Sequence, residues 1–397
     1  MRDFLTARAK ALKPSGIRKY FDIVETLPDA ISLGVGEPDF VTPWDIRSAG
    51  IRSIQKGFTQ YTGNRGLSEL RTLISRYLAE RFGVDYPAAR IIVTVGASEG
   101  IDLALRTTCE AGDEVLMPDP AYVSYAPIVS LSGGVPVSVH CSAENGFIIT
   151  PEALEAAITP KTKSLILAYP NNPTGGIMTK EQLEAIVPII EKHDLLVISD
   201  EIYAELTYGG RHCSVASLPG MKERTVLLSG FSKAFAMTGW RVGFTCAPEA
   251  LDKAMLKVHQ YTMLCAPRTS QHAAVAALAG GFQDGFASVE KMRAEYDRRR
   301  RYLVSALNGL GLSCFEPRGA FYVFPSVAST GLTGEEFAER LLMEEQVAVV
   351  PGNAFGTCGD THVRCSYATG MAELEEAVGR IARFLEKLRK NPPPATK

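Results

Sequence analysis

The sequence predicts an α/β protein: a mostly parallel central sheet covered by helices in a large domain, joined to a smaller α/β domain built from both chain ends. Three observations lead there. The middle of the chain alternates short apolar runs with amphipathic stretches of helix length, the signature of strand–helix–strand units. From about residue 287 the pattern changes to a long helix, mixed short strands and a closing helix. The 397 residues are also too many for one small core.

The elements follow in order. Strands of the large domain are predicted at 91–95, 114–117, 164–168, 195–199, 226–229 and 242–246, each a short, mainly apolar run. A helix opens at Gly96-Ala97-Ser98-Glu99-Gly100 and continues through Ile101, Leu103 and Leu105. Thr179 and Gln182 have capping-box spacing, and Leu183, Ile186, Val187 and Ile190 follow at i, i+3, i+4 and i+7. In the smaller domain the long helix carries Val289, Met292, Tyr296, Leu303 and Leu307. Strands are predicted at 321–324, 347–350 and 362–365, and the closing helix sets Leu374, Val378, Ile381, Leu385 and Leu388 on one face. The expected division is a segment 1–43 packing with the small domain, a large domain 44–286, a small domain 287–390, and a disordered tail 391–397 rich in proline.

Composition narrows the function. Hydrophobic residues make up 46% and charged residues 22%, ordinary for a soluble globular protein. A net charge of -2 gives no basic field for nucleic acid or a membrane surface. The one basic run, Arg298 to Arg301, falls within a helical pattern and reads as a solvated stretch with local ion pairs. Eight cysteines without a C-x-x-C pair read as reduced, mostly buried thiols of a cytoplasmic protein. The six histidines show no metal-ligand spacing. No apolar signal region follows Met1 to Leu5, and no apolar stretch is long enough to span a membrane.

Parallel sheets present ligands at the C-terminal ends of their strands. Lys233 follows one such strand, in Ser229-Gly230-Phe231-Ser232-Lys233, with Arg241 eight residues on. A lysine amine in a confined, partly apolar site can lose its proton and form a Schiff base, and an arginine offers a planar fork to a phosphate. Together they suggest a phosphorylated aldehyde cofactor, pyridoxal phosphate. The turn at Gly96, Ala97 and Ser98 opens a helix, where free amides and the positive dipole end favour an anion. Asp200 ends another strand; it reads either as a helix cap or as a carboxylate that keeps a pyridine nitrogen protonated. Tyr169 to Gly176 is good turn chemistry. Tyr122 reads either as core or as a platform for an aromatic ring.

These pieces, in order and spacing, resemble the class I/II aminotransferases of the fold-type I pyridoxal-phosphate enzymes. The specific segments are S-G-F-S-K-A-F-A-M-T-G-W-R-V-G around Lys233, Y-P-N-N-P-T-G around Asn172 and S-D-E-I-Y around Asp200. Supporting ones are L-G-V-G-E-P-D-F at Leu33–Phe40, Y-T-G-N-R-G at Tyr61–Gly66 and H-V-R-C-S at His362–Ser366.

The resemblance implies a homodimeric enzyme moving an amino group from an L-amino acid to a 2-oxo acid in a ping-pong cycle. Lys233 would hold the cofactor and carry the proton, and Asp200 would pair with the pyridine nitrogen. Asn172 and Tyr203 would bond the ring's phenolic oxygen, and Tyr122 would stack on the ring. Gly96, Ala97, Ser98, Ser232 and Arg241 would hold the phosphate, with Tyr61 reaching it from the partner subunit. Arg364 would clamp the substrate α-carboxylate, helped by Gly36 and Asn172. Relatives carry a serine three residues before the lysine; this chain has Gly230 there, so Ser232 is counted and Ser229 is not. Segments such as Ser15 to Tyr20 resemble enzymes acting on aspartate, aromatic amino acids or acylated diaminopimelate. A carbon–sulfur lyase uses nearly the same site residues and differs in products. A DNA-binding regulator on this fold needs an extension before it, whereas here the resemblance starts within the first twenty residues.

Overall fold

The computed structural model describes residues 2–12, 27 and 29–391. A first short strand, β1 (Ile31–Ser32), stands apart from the central sheet. That sheet contains β2 (Ile91–Thr94), β3 (Glu114–Asp119), β4 (Val135–His140), β5 (Thr162–Ala168), β6 (Leu196–Asp200), β7 (Thr225–Gly230) and β8 (Gly243–Cys246). Their order is β2-β8-β7-β6-β5-β3-β4, and only β8 runs against its neighbours.

Alternation along the strands explains the two covered faces. Ile166, Ile198, Val226 and Leu228 pack with Ile101, Ala104 and Leu105 of the helix Gly96–Thr108. Leu165, Leu167 and Val197 point the other way, onto Leu183, Ile186 and Ile190 of the helix Lys180–Lys192. Strands buried on both faces read as continuous apolar runs, so the runs themselves located them. The predicted capping box is present: Thr179 and Gln182 each bond the other's backbone amide.

The edge strand β4 escapes sequence reading. Its residues are largely half-exposed, and Pro136 interrupts its apolar pattern. Proline is tolerated there because an edge strand leaves one row of amides unpaired.

The C-terminal part surrounds a separate core. Met292, Tyr296, Leu303 and Leu307 of the helix Ala287–Gly309 meet Phe337, Leu341, Leu374, Ile381 and Leu385. Short strands β9 (Tyr322–Val323), β10 (Val347–Ala348), β11 (Val350–Pro351) and β12 (Val363–Ser366) complete it. The single strand predicted at 347–350 is two strands in different sheets. β1 pairs in parallel with β10, Ile31 opposite Val347. Of the N-terminal segment, residues 13–26, with Ser15 to Tyr20, lie outside the described residues, as does the tail beyond Asn391.

The basic run departs from expectation. Arg298 and Arg301 are exposed, but Arg299 and Arg300 are buried. Arg299 bonds Asp39 at 2.9 Å and Glu295 at 2.9 Å, and Arg300 bonds Asp297 and Glu316. Burial of a guanidinium demands such partners. The Arg299–Asp39 bond ties the Leu33–Phe40 segment to the C-terminal core. The cysteines also depart in part: all eight are free, but only Cys141, Cys246, Cys314 and Cys365 are buried.

Candidate active site

A cavity of about 870 Å³ opens where the C-terminal ends of the parallel strands meet the C-terminal core. Lys233, Asp200, Tyr203, Asn172, Tyr122, Ala97, Ser98, Ser232, Arg241, Gly36 and Arg364 all line it. Residues nearly 330 positions apart in sequence thus converge on one space. Gly96 stands just behind it. Tyr61 does not line it; its side chain is 78% exposed on the surface of this chain.

One corner of the cavity is built from glycine and an unusual arginine backbone. Arg241 has φ 52° and ψ 55°, a left-handed conformation that a side chain rarely adopts. It lays the guanidinium over Gly96: a Cβ at Gly96 would lie 2.6 Å from Arg241 Nη2. Arg241 Nη1 donates to the Thr238 carbonyl at 2.8 Å, and the guanidinium faces the first turn of the helix Gly96–Thr108, of which only Ser98 is exposed. That turn is braced from below. Glu99 accepts from the Val95 amide and binds the buried His259.

At the floor, Asp200 closes β6 with 6% of its surface exposed. Tyr125 donates to its Oδ2 at 2.8 Å, and the Ile202 amide donates to Oδ1 at 3.2 Å. Burial raises its carboxyl to about 6, against the lowering effect of these two donors. Above it, Lys233 Nζ donates to the Gly36 carbonyl at 2.6 Å. Burial lowers the Lys233 amine to about 8, which brings its deprotonation much closer to neutral pH than that of a free lysine.

Arg364 enters from β12 and is 3% exposed. It donates to Asn172 Oδ1 at 2.9 Å and to the Gly34 carbonyl at 2.6 Å. Its Nε has no partner, and no carboxylate pairs with it among the described residues. The buried charge thus lacks a counter-ion, burial lowers its pKa, and both favour an incoming anion. The Asn171 side chain closes the 171–176 turn by accepting from Thr174, which leaves Asn172 to face the cavity.

The profile of the family "Aminotransferase class I and II" matches residues 28–381. The chain belongs to that family. It is an aminotransferase, an enzyme transferring nitrogenous groups. It is 53% identical to the Bacillus subtilis protein named "Putative aminotransferase YugH" over 388 residues, 98% of this chain and 100% of that one. It is 46% identical to an aspartate aminotransferase of Pyrococcus abyssi, covering 96% of this chain and 98% of that one. The crystal structure of an aromatic aminotransferase from Pyrococcus horikoshii superposes with a TM-score of 0.89 at 45% identity, covering 93% of this chain and 99% of the other.

Sequence reading missed several cavity residues of this aminotransferase. Tyr125 opens the helix Tyr125–Leu131 three residues after Tyr122, and nothing in the sequence marked it. Tyr322 was read only as part of a strand, yet its hydroxyl is 2.8 Å from that of Tyr203. Glu37 and Thr238, joined at 2.9 Å, gave no signal. Ser229 bonds the Glu201 carbonyl and does not line the cavity.

Proposed function

We propose that the protein is a pyridoxal-phosphate-dependent amino-acid aminotransferase working by a ping-pong cycle. Its amino donor would be an L-amino acid of the aspartate, aromatic or acyl-diaminopimelate type, and its acceptor a 2-oxo acid such as 2-oxoglutarate. One observation carries this reading: a depressed lysine amine, a buried carboxylate and an uncompensated arginine face one cavity from three different elements. The chain's residues fit the cofactor. Asp200, already bonded on both oxygens but by no cation, suits a protonated ring nitrogen. Arg241 and the amides after Gly96 suit the phosphate, together with Ser232. Tyr122 suits the ring face, and Asn172, whose Oδ1 is held by Arg364, has its amide N–H groups free for the ring's phenolic oxygen.

When bound, the cofactor supplies an electron sink for the substrate's α-carbon. The chain does the rest. Arg364 orients the α-carboxylate through its fork, with Gly36 beside it. Lys233 would take the proton from the α-carbon and hold it for return to the substrate–cofactor adduct. Tyr203 keeps a hydrogen bond on the phenolic oxygen. Closure of the C-terminal unit (about 287–390) on the large one (about 44–286), with the N-terminal segment moving with the former, would exclude water. Assays of a panel of amino donors against 2-oxoglutarate and pyruvate test this reading. Exchange of amino for keto groups is expected for at least one donor class. Release of pyruvate and ammonia without exchange would replace it with elimination.

The site is further proposed to be shared in a cytoplasmic homodimer. Trp44, Ile51 and Ile54 expose one face of the helix Trp44–Gln55, while Ile46 and Gly50 are buried on the other. An apolar outer face near exposed Tyr61 suits an isologous interface. No helix among the described residues is long and apolar enough to cross a membrane. If Tyr61 acts across the interface, mixing inactive Tyr61 and Lys233 variants should restore part of the activity, because one site of each hybrid carries no defect. A monomeric active enzyme in light scattering would contradict the shared site.

A further inference from the structure

We propose that Tyr322 is a positioning residue for amino transfer: its hydroxyl donates to Tyr203 and so directs the Tyr203 proton into the cavity. The proposal rests on the cofactor reading above. Tyr322 stands on β9, opposite Ser366 of β12, two residues from Arg364. It is 1% exposed and lines the cavity. Its hydroxyl lies 2.8 Å from the Tyr203 hydroxyl, which follows β6 in the central sheet. A Cβ at Gly36 would lie 2.8 Å from the same hydroxyl, so only glycine leaves room for it there. The Arg364 guanidinium carbon sits 4.5 Å over its ring. One side chain therefore touches the Gly36 turn, Tyr203 and Arg364, and joins the C-terminal core to the central sheet.

The direction of the hydroxyl pair follows from who can accept. Among the described residues, Tyr203 Oη is the hydrogen-bond partner of Tyr322 Oη. Arg364, whose guanidinium lies over its ring, only donates. A buried hydroxyl proton without an acceptor is costly, so Tyr322 gives its proton to Tyr203. Acidity agrees. Burial pushes both hydroxyls up, further for Tyr203 than for Tyr322, and the Arg364 charge acts to lower both. The more acidic hydroxyl is the better donor. Tyr203, having accepted, keeps its own proton for the cavity, and a chained donor is polarised by the one behind it.

The test uses the holoenzyme and three variants: Tyr322→Phe, Tyr203→Phe and the double. Phenylalanine at 322 keeps the ring under Arg364 and removes only the hydroxyl. The primary readout is the pH at which the bound cofactor's visible absorbance changes. A hydrogen bond to an anionic oxygen favours that form, so weakening it should raise the transition. Tyr322→Phe is expected to raise it by about half a unit, ~3-fold in proton affinity. kcat should fall while KM stays near that of the parent. Tyr203→Phe should shift the transition further, and Tyr322→Phe should add nothing to it in the double variant. A Tyr322→Phe holoenzyme that titrates like the parent, or shifts that add in the double variant, would overturn the proposal alone. A parent with no visible band would overturn the cofactor reading and this proposal with it.

Discussion

Lys233→Ala is expected to abolish amino transfer and remove the cofactor's covalent attachment. In the proposed function the amine carries the proton at the reacting carbon, and general acid–base steps alone contribute about 10²–10⁴-fold. Loss of the covalent hold adds to that. The geometry makes substitution unforgiving. Lys233 Nζ is held at 2.6 Å by the Gly36 carbonyl and lies 5.6 Å from the Tyr203 ring centre. Among the described residues no second lysine lines the cavity. Turnover and the absorbance of the purified variant measure this. A variant that keeps the bound-cofactor absorbance, unreleased by added amine, would show that another group holds the cofactor.

Arg364→Lys is expected to lower kcat/KM by about 10²–10³-fold for every amino acid and keto acid alike, with cofactor binding intact. Lysine keeps a charge but cannot present two parallel N–H groups, and charge-assisted bonds are worth about 1.5–3 kcal/mol each. It would also leave Asn172 Oδ1 and the Gly34 carbonyl without their donors. The uniformity is the diagnostic part, because the α-carboxylate is common to all substrates whereas a side-chain contact is not. Steady-state kinetics with acidic and aromatic donors decide it. Selective loss towards acidic donors would reassign Arg364 to the side-chain pocket.

The sequence carried most of the central sheet because its strands are buried on both faces. Runs such as Leu165–Leu167 and Val226–Leu228 have no polar interruption, and each ends where the chain turns into the cavity. It lost β4, whose edge position admits Pro136. The residues at strand ends were legible for the same reason: Lys233, Asp200 and Asn172 are polar groups placed just after apolar runs. Tyr322, Glu37 and Thr238 were not, because nothing local distinguishes them. Tyr322 is one aromatic among Phe321, Phe324 and other core residues, and only its approach to the turn after β6 gives its hydroxyl a partner. Arg299 and Arg300 show the limit from the other side. Four consecutive arginines look solvated, and only the fold brings Asp39 and Glu316 to the two that are buried.

The central claim, that Lys233 is the residue joined to the cofactor, has one direct measurement. The purified protein is loaded with pyridoxal phosphate, reduced with borohydride, digested and mapped by mass spectrometry. The account requires a single reduced phosphopyridoxyl adduct on the peptide containing Lys233, absent when substrate amine has first discharged the site. An adduct on another lysine, or amino transfer by a protein that forms none, would contradict it.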